Sequence, residues 1–263
     1  MYTGSVRNAV LITGASSGFG QEFARIFAKE KYDLILVARS QDKLEELAHE
    51  LKEQNDILVK IITADLADPK SAKKIYESVI DAQLEVSILI NNAGFATYGR
   101  FDTNDYQEEL DEIEVNVVSL TQLTKLFLPA MIHAKSGRIL NVASTAAFLP
   151  GPLMAVYYAT KAYVLSFSEA LSEELKGTGV SVSVLCPGPT KTGFATRAKL
   201  KNSPLFRNAT NDVSRVVKAG YTGLMAEEVV IIPGIGNKLQ VQLLRILPRG
   251  IVRRVVKRAQ RES

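Results

Sequence analysis

Tyr157 and Lys161 stand four residues apart in Tyr157-Tyr158-Ala159-Thr160-Lys161, and Ser144 lies thirteen positions upstream of the tyrosine. On a helix, side chains at i and i+4 share a face about one turn apart. A phenol and an ammonium held that way can form one proton-transfer unit. A phenol titrates near about 10, so it is a poor acid–base at neutral pH unless a cation favours its phenolate. Lys161 can be that cation, and Ser144 adds a short hydroxyl aimed at the same oxygen. Tyr-x-x-x-Lys also arises by chance on amphipathic helices, so the surrounding elements must decide.

Those elements alternate. Apolar strand patterns cover 8–12, 33–37, 57–63, 86–90, 138–142, 180–185 and 228–232. Helical patterns cover 21–31, a stretch N-capped by Ser40 and ending at Glu53, a stretch opened by Pro69, then 103–133 with a break expected near Pro129, and 155–176. Strands alternating with helices imply an α/β fold, with a parallel sheet of about seven strands covered on both faces. Such sheets bind ligands beyond the carboxyl ends of their strands. The loop after the first strand, Arg39, Asp65, Asn91, Ser144 and the Pro187-Gly188 turn all fall on that edge.

Thr13-Gly14-Ala15-Ser16-Ser17-Gly18-Phe19-Gly20 joins the first strand to the first helix. Glycines let the backbone turn tightly and approach a pyrophosphate, whose charge suits a helix N-terminus. The spacing Gly-x-x-x-Gly-x-Gly differs from the G-x-G-x-x-G of the dinucleotide fingerprint. After the second strand, where NAD-binding chains often place a carboxylate for the ribose, stands Val37-Ala38-Arg39-Ser40. Arg39 can pair with a 2′-phosphate and Ser40 can add a hydroxyl, which favours NADP(H).

Together these residues resemble the classical short-chain dehydrogenase/reductase (SDR) family, from Ala9 to about Thr192 and more loosely to Gly234. The motifs are Thr13-Gly14-x-x-x-Gly18-x-Gly20, Asp65, Asn91-Asn92-Ala93-Gly94, Asn116, Ser144, Tyr157-x-x-x-Lys161 and Pro187-Gly188-x-x-x-Thr192. The resemblance implies a doubly wound Rossmann-type sheet and an oxidoreductase passing hydride between NADP(H) and a carbonyl or alcohol. It implies that Gly14, Gly18 and Gly20 cradle the pyrophosphate, with Ser16, Ser17 and Phe19 in the same turn. Asp65 then meets the adenine amino group, with Leu66 beside the ring. Asn91, Asn92, Ala93 and Gly94 border the adenosine side. Pro187, Gly188, Thr190 and Thr192 shape the nicotinamide and diphosphate pocket. Asn116, Ser144, Tyr157 and Lys161 make the catalytic tetrad, with Lys161 also on the nicotinamide ribose and Asn116 supporting a proton-relay water. Phe19 stands where a smaller aliphatic is usual, and Tyr158 adjoins the catalytic tyrosine. Related proteins pair through their long helices, so a homodimer or homotetramer is expected. A regulator or scaffold that binds NADP(H) without turnover is the alternative, but a pure binder needs no Tyr157–Lys161 pair.

The single cysteine, Cys186, excludes an internal disulfide framework and a cysteine zinc site, and His49 and His133 are isolated, so no metal is expected. No signal-peptide pattern precedes the first strand, and no apolar run reads as a membrane span. These features point to the cytoplasm.

The last nineteen residues carry seven basic side chains against Glu262 alone, +6 of the overall +4, which leaves the remainder near −2. Without a basic stripe on the body, nucleic-acid binding is not indicated. Residues 1–236 form the catalytic domain, with a partly apolar substrate lid at about 188–211 that includes Phe194, Leu200, Leu205 and Phe206. Residues 237–263 form a basic extension of two short amphipathic helices broken at Pro248-Arg249-Gly250. That extension has two readings: weak peripheral contact with anionic lipid, or packing on the body or a neighbouring subunit with arginines in solvent. The second is preferred.

Overall fold

The computed structural model describes residues 7–190 and 212–260. Seven strands form one parallel sheet in the order β3-β2-β1-β4-β5-β6-β7. They are β1 (Arg7–Thr13), β2 (Asp33–Ala38), β3 (Val59–Thr63), β4 (Leu84–Asn91), β5 (Gly137–Val142), β6 (Val180–Leu185) and β7 (Val230–Ile231). The helices are α1 (Gly18–Lys29), α2 (Gln41–Gln54), α3 (Ser71–Asp81), α4 (Tyr106–Ile113), α5 (Leu120–Ala134), α6 (Ala155–Glu174) and α7 (Val213–Met225). Two tail helices follow, Ile235–Ile246 and Arg249–Gln260.

Successive strand residues point to opposite faces. Val10, Ile12, Leu34 and Leu36 therefore face one core with Phe23 and Phe27 of α1 and Leu44 of α2. Ala9, Leu11, Ile35 and Val37 face the other, with Ile75 of α3 and Phe127 and Met131 of α5. Both faces are covered, which explains why the strands are continuous apolar runs rather than alternating ones. The strand order reverses direction between β1 and β4, which opens a crevice beyond their carboxyl ends.

Three local expectations are corrected. The helix expected to break near Pro129 continues through it, and Pro129 lies inside α5. The irregularity lies earlier, as a π-helical segment at Glu114–Ser119 between α4 and α5. The helix expected to open at Pro69 begins at Ser71 instead. Finally, Tyr106–Ala134 is, by length and composition alone, long and apolar enough to span a membrane, with mean hydropathy 1.3 in its best window. Part of its apolar surface is occupied, because Val115, Leu123, Phe127 and Met131 are buried against the sheet, while Tyr106, Leu110 and Ile113 stay exposed.

Candidate active site

The first loop is shaped by its glycines and by Thr13. Gly14 has φ +67°, and a Cβ there would lie 2.9 Å from Asn92 Nδ2 and 3.0 Å from Ala93 Cα. Gly20 is packed against the carbonyl of Gly14 with no room for a side chain. Thr13 Oγ1 accepts from the amides of Asn92 and Ala93, both at 3.0 Å, and donates to the Ile90 carbonyl at 3.3 Å. Asn92 Nδ2 donates to the Thr13 carbonyl at 2.8 Å. The turn after β1 and the turn after β4 are thus one hydrogen-bonded unit. α1 begins here with Ser17 as N-cap, but that side chain makes no capping bond and the first turn has no acidic residue. Its amides and the positive end of its dipole are left for an anion.

Gly14, Ser16, Ser17, Gly18 and Phe19 line a cavity of about 530 Å³. Arg39, Ser40, Asp65 and Leu66 line the same cavity, as do Asn92, Ala93 and Gly94. Arg39 lies 3.8 Å from Asp65, both half exposed, so the pairing is weak and leaves the guanidinium available. Ser40 caps α2 in extended conformation, but its hydroxyl makes no cap bond. Asn91 departs from the expectation. It is buried between β4 and β5, where its Nδ2 donates to Asn141 Oδ1 at 2.9 Å and Thr124 Oγ1 at 3.1 Å, and it does not reach the cavity. Its neighbour Asn92 does.

The candidate acid–base group lies across the cavity, on α6 and the β5 turn. Ser144 N-caps the short 3₁₀ turn Thr145–Phe148, accepting from the Ala146 amide at 3.1 Å and donating to the Pro187 carbonyl at 3.4 Å. It also hydrogen-bonds Tyr157. Lys161 is buried one turn beyond the tyrosine, with Nζ 5.8 Å from the Tyr157 ring centroid and donating to the Val142 carbonyl at 2.9 Å. Burial pushes the Tyr157 phenol above its usual range, against the lowering effect of the Ser144 hydrogen bond. Burial also pulls Lys161 down to about 8, although Glu112 acts to raise it. The expected lowering of the phenol by Lys161 does not emerge; Ser144 alone pulls it down, and desolvation outweighs that pull. At neutral pH the pair is a neutral phenol beside a mostly protonated lysine.

Asn116 sits in the π-helical segment, a geometry common at functional sites. Its Oδ1 accepts from the Phe95 amide at 3.2 Å, and its Nδ2 donates to the Phe95 carbonyl at 2.9 Å and to Thr160 Oγ1 at 3.1 Å. Gly94 lets this group close up, since a Cβ there would come within 2.9 Å of Asn116 Oδ1 and 3.3 Å of Lys161 Nζ. Pro187, Gly188 and Thr190 complete the cavity rim, with Thr190 Oγ1 donating to the Gly188 carbonyl at 2.8 Å. Thr192 and the lid residues Phe194, Leu200, Leu205 and Phe206 lie outside the described residues.

Several residues here carried no sequence signal. Glu112 of α4 is fully buried, accepts from both the amide and the hydroxyl of Thr97 at 2.8 Å, and is pushed up to about 7 by burial. The second tail helix closes the far wall. Its Val252 and Val256 pack with Met154, Tyr157 and Tyr158. Gln260 donates to Tyr158 Oη at 2.7 Å, while its own carbonyl accepts from Tyr98 Oη at 2.7 Å. Gln260 lies 102 positions from Tyr158, a separation that no local pattern can span.

Comparisons with known proteins agree with this architecture. Residues 8–203 match the model of the short chain dehydrogenase family. The very-long-chain 3-oxoacyl-CoA reductase of Anas platyrhynchos is 31% identical over 221 residues, covering 82% of this chain and 69% of that protein. The match to its counterpart in Homo sapiens covers only 57% of that protein's length. The ketoacyl reductase HetN of Nostoc sp. is 30% identical over 250 residues, covering 93% of this chain and 86% of that one. Among solved structures, a short-chain dehydrogenase from Sphingobium yanoikuyae in complex with NADPH superposes with TM-score 0.83 at 33% identity, covering 93% and 94% of the two chains. The fold, the glycine turn and the matched residues give one conclusion: this chain belongs to the short-chain dehydrogenase family of oxidoreductases.

Proposed function

We propose that the protein is an NADP(H)-dependent reductase of a ketone, aldehyde or acyl-chain carbonyl. The observation that carries this is the buried Tyr157 phenol, hydrogen-bonded to Ser144, in one cavity with an uncapped glycine-turn helix N-terminus and Arg39. The cofactor fits on the chain's own features. Gly14 and Gly20 leave cradles that a Cβ would fill, and the first turn of α1 offers unpaired amides. Gly14, Ser16, Ser17, Gly18 and Phe19 would hold the pyrophosphate, Asp65 and Leu66 the adenine, and Arg39 with Ser40 the 2′-phosphate. Asn92, Ala93, Gly94, Pro187, Gly188, Thr190 and Thr192 would line the rest. The Sphingobium relative, solved with NADPH, supports that preference.

A nicotinamide cofactor held by these residues would supply hydride to the substrate carbonyl carbon, leaving negative charge on the oxygen. Tyr157 gives that oxygen its phenolic proton and Ser144 holds it by hydrogen bond, yielding the alcohol. General acid–base action of this sort contributes about 10²–10⁴-fold in rate. Lys161 offsets the charge left on Tyr157 until solvent restores the proton. The Asn116 side chain is committed to Phe95 and Thr160, so it acts as a strut between the β4 turn and α6. Any relay through Asn116 would run by its main chain.

Reduction of a 3-oxoacyl group is the substrate reading favoured by the names of the duck and Nostoc relatives. The apolar wall made by Leu149, Met154 and Val256 suits an acyl chain. Exposed Tyr106, Leu110 and Ile113 on α4 and Tyr163 on α6 support pairing of copies through those helices. A panel of aldehydes, ketones and 3-oxoacyl thioesters, followed by NADPH and NADH oxidation, tests the proposal. NADPH-dependent loss of a carbonyl is the expected result. A persistent blank across the panel, with NADPH bound, would favour the non-catalytic binder.

A further inference from the structure

The first tail helix carries Ile235, Leu239, Leu243 and Ile246 at intervals of four, four and three, which places them on one face. All four are exposed, and the second tail helix adds exposed Ile251 and Val255, so six large aliphatic side chains are between 48% and 82% open to solvent. Soluble proteins rarely leave this much large apolar surface uncovered on one segment without a partner. The same segment carries Lys238, Arg249, Arg253, Arg254, Lys257 and Arg258, all exposed. No acidic residue occurs anywhere between Ile235 and Gln260. The buried side of the same segment is occupied, because Val241, Val252, Val256 and Gln260 are packed inward. The exposed row is therefore not a core face left over from folding.

We propose that the two tail helices form a docking surface for an anionic lipid bilayer, with the aliphatic row entering the headgroup–acyl boundary and the basic side chains meeting lipid phosphates. This is the pattern of helices that lie in a membrane interface. Charge selects the bilayer over a second copy of the chain. In a two-fold interface the same patch meets itself, so two sets of arginines and lysines would be opposed with no acidic partner on either side. An anionic bilayer complements both features at once. Gln240 and Val255, exposed along this surface, also line the catalytic cavity. The cavity mouth then faces the bilayer, a consequence that rests on the reductase reading, whereas the docking itself does not.

The test is cosedimentation of the full chain with vesicles of phosphatidylcholine alone or mixed with phosphatidylserine, at low and high salt. The protein should pellet with the anionic vesicles and be released by salt. Arg254→Ala with Arg258→Ala should lower partitioning by about thirtyfold. Leu239→Glu with Leu243→Glu and Ile246→Glu should abolish it. All variants should keep wild-type NADPH affinity and Tm, which separates lost docking from lost folding. The proposal is overturned if the wild type stays in the supernatant with anionic vesicles, or if the glutamate variant pellets as well as the wild type. It is equally overturned if the wild type does not pellet and the glutamate variant converts a larger species to monomer, which would make this face a self-association surface.

Discussion

The cavity wall at the ends of β1, β2 and β4 is built from short, contiguous pieces: Gly14 to Gly20, Arg39 to Ser40, and Asn92 to Gly94. The wall across from it joins Met154 and Tyr158 to Val256 and Gln260, residues about a hundred positions apart in the chain. On the proposed reading the first wall would match a fixed ligand, a dinucleotide, and backbone shape with a few glycines defines it. On the same reading the second would match the carbonyl compound, and it is assembled by packing between distant segments. Tyr157 and Lys161 stand on the seam between the two. Substitutions on either side should therefore separate cofactor effects from substrate effects.

The largest effect belongs to the seam. Tyr157→Phe should lower turnover by about 10²–10⁴-fold, the typical contribution of a positioned acid, while NADPH titration gives the wild-type affinity. If cofactor affinity collapsed as well, the tyrosine would belong to the first wall rather than the seam. Next, Arg39→Asp should act on the first wall alone. It should cost about ten- to hundredfold in kcat/KM with NADPH, the range for a lost hydrogen bond to a charged group, and should improve NADH. An unchanged ratio of the two cofactors would remove Arg39 from the site.

Gln260→Leu probes the second wall. It leaves the buried Tyr158 hydroxyl without its partner, at about 1–3 kcal/mol. KM for ketones should rise several-fold and Tm should fall by a few degrees, with NADPH affinity unchanged. A variant that lost NADPH affinity instead would show that the two walls are not separable.

Glu112→Gln should have the smallest effect. Burial raises the Glu112 carboxyl from 4.5 to about 7, so the folded state resists its ionisation while the unfolded state does not. Wild-type stability attributable to this group should decline as pH rises from 4.5 to about 7 and stay low above it. The glutamine variant should match the wild type in acid and exceed it by a few degrees in Tm above neutrality. It also removes a charge that raises Lys161. Reductase activity should fall near pH 8 as Lys161 loses its proton, and in the variant that fall should move to lower pH.

The same contrast explains what the sequence made legible. The order of strands and helices was readable because both sheet faces are buried, which makes each strand an apolar run bounded by turns. The glycine turn was readable because Gly14 and Gly20 are forced by close backbone approach, a requirement that spacing preserves. Asn91 was misassigned to the cavity because one step along a strand end changes the face it presents, and only its neighbour Asn92 points in. The helix break was misplaced at Pro129 because a proline on an exposed helix face can be accommodated, the carbonyl it leaves unbonded turning to solvent, whereas the π-helical segment around Asn116 leaves no compositional mark. Glu112 gave no signal because one acid among the four of α4 reads as solvent-facing, and only Thr97 folding over it reveals its burial. The tail's contribution to the cavity depends wholly on tertiary contact.

The most direct test of the central claim follows the hydride itself. A 3-oxoacyl thioester would be incubated with NADPH deuterated at the nicotinamide carbon that donates hydride, using the wild type and Tyr157→Phe, and the product analysed by mass spectrometry. The account predicts one deuterium at the new carbinol carbon with the wild type and almost no product with the variant. Alcohol formed without deuterium, or formed equally by Tyr157→Phe, would contradict it.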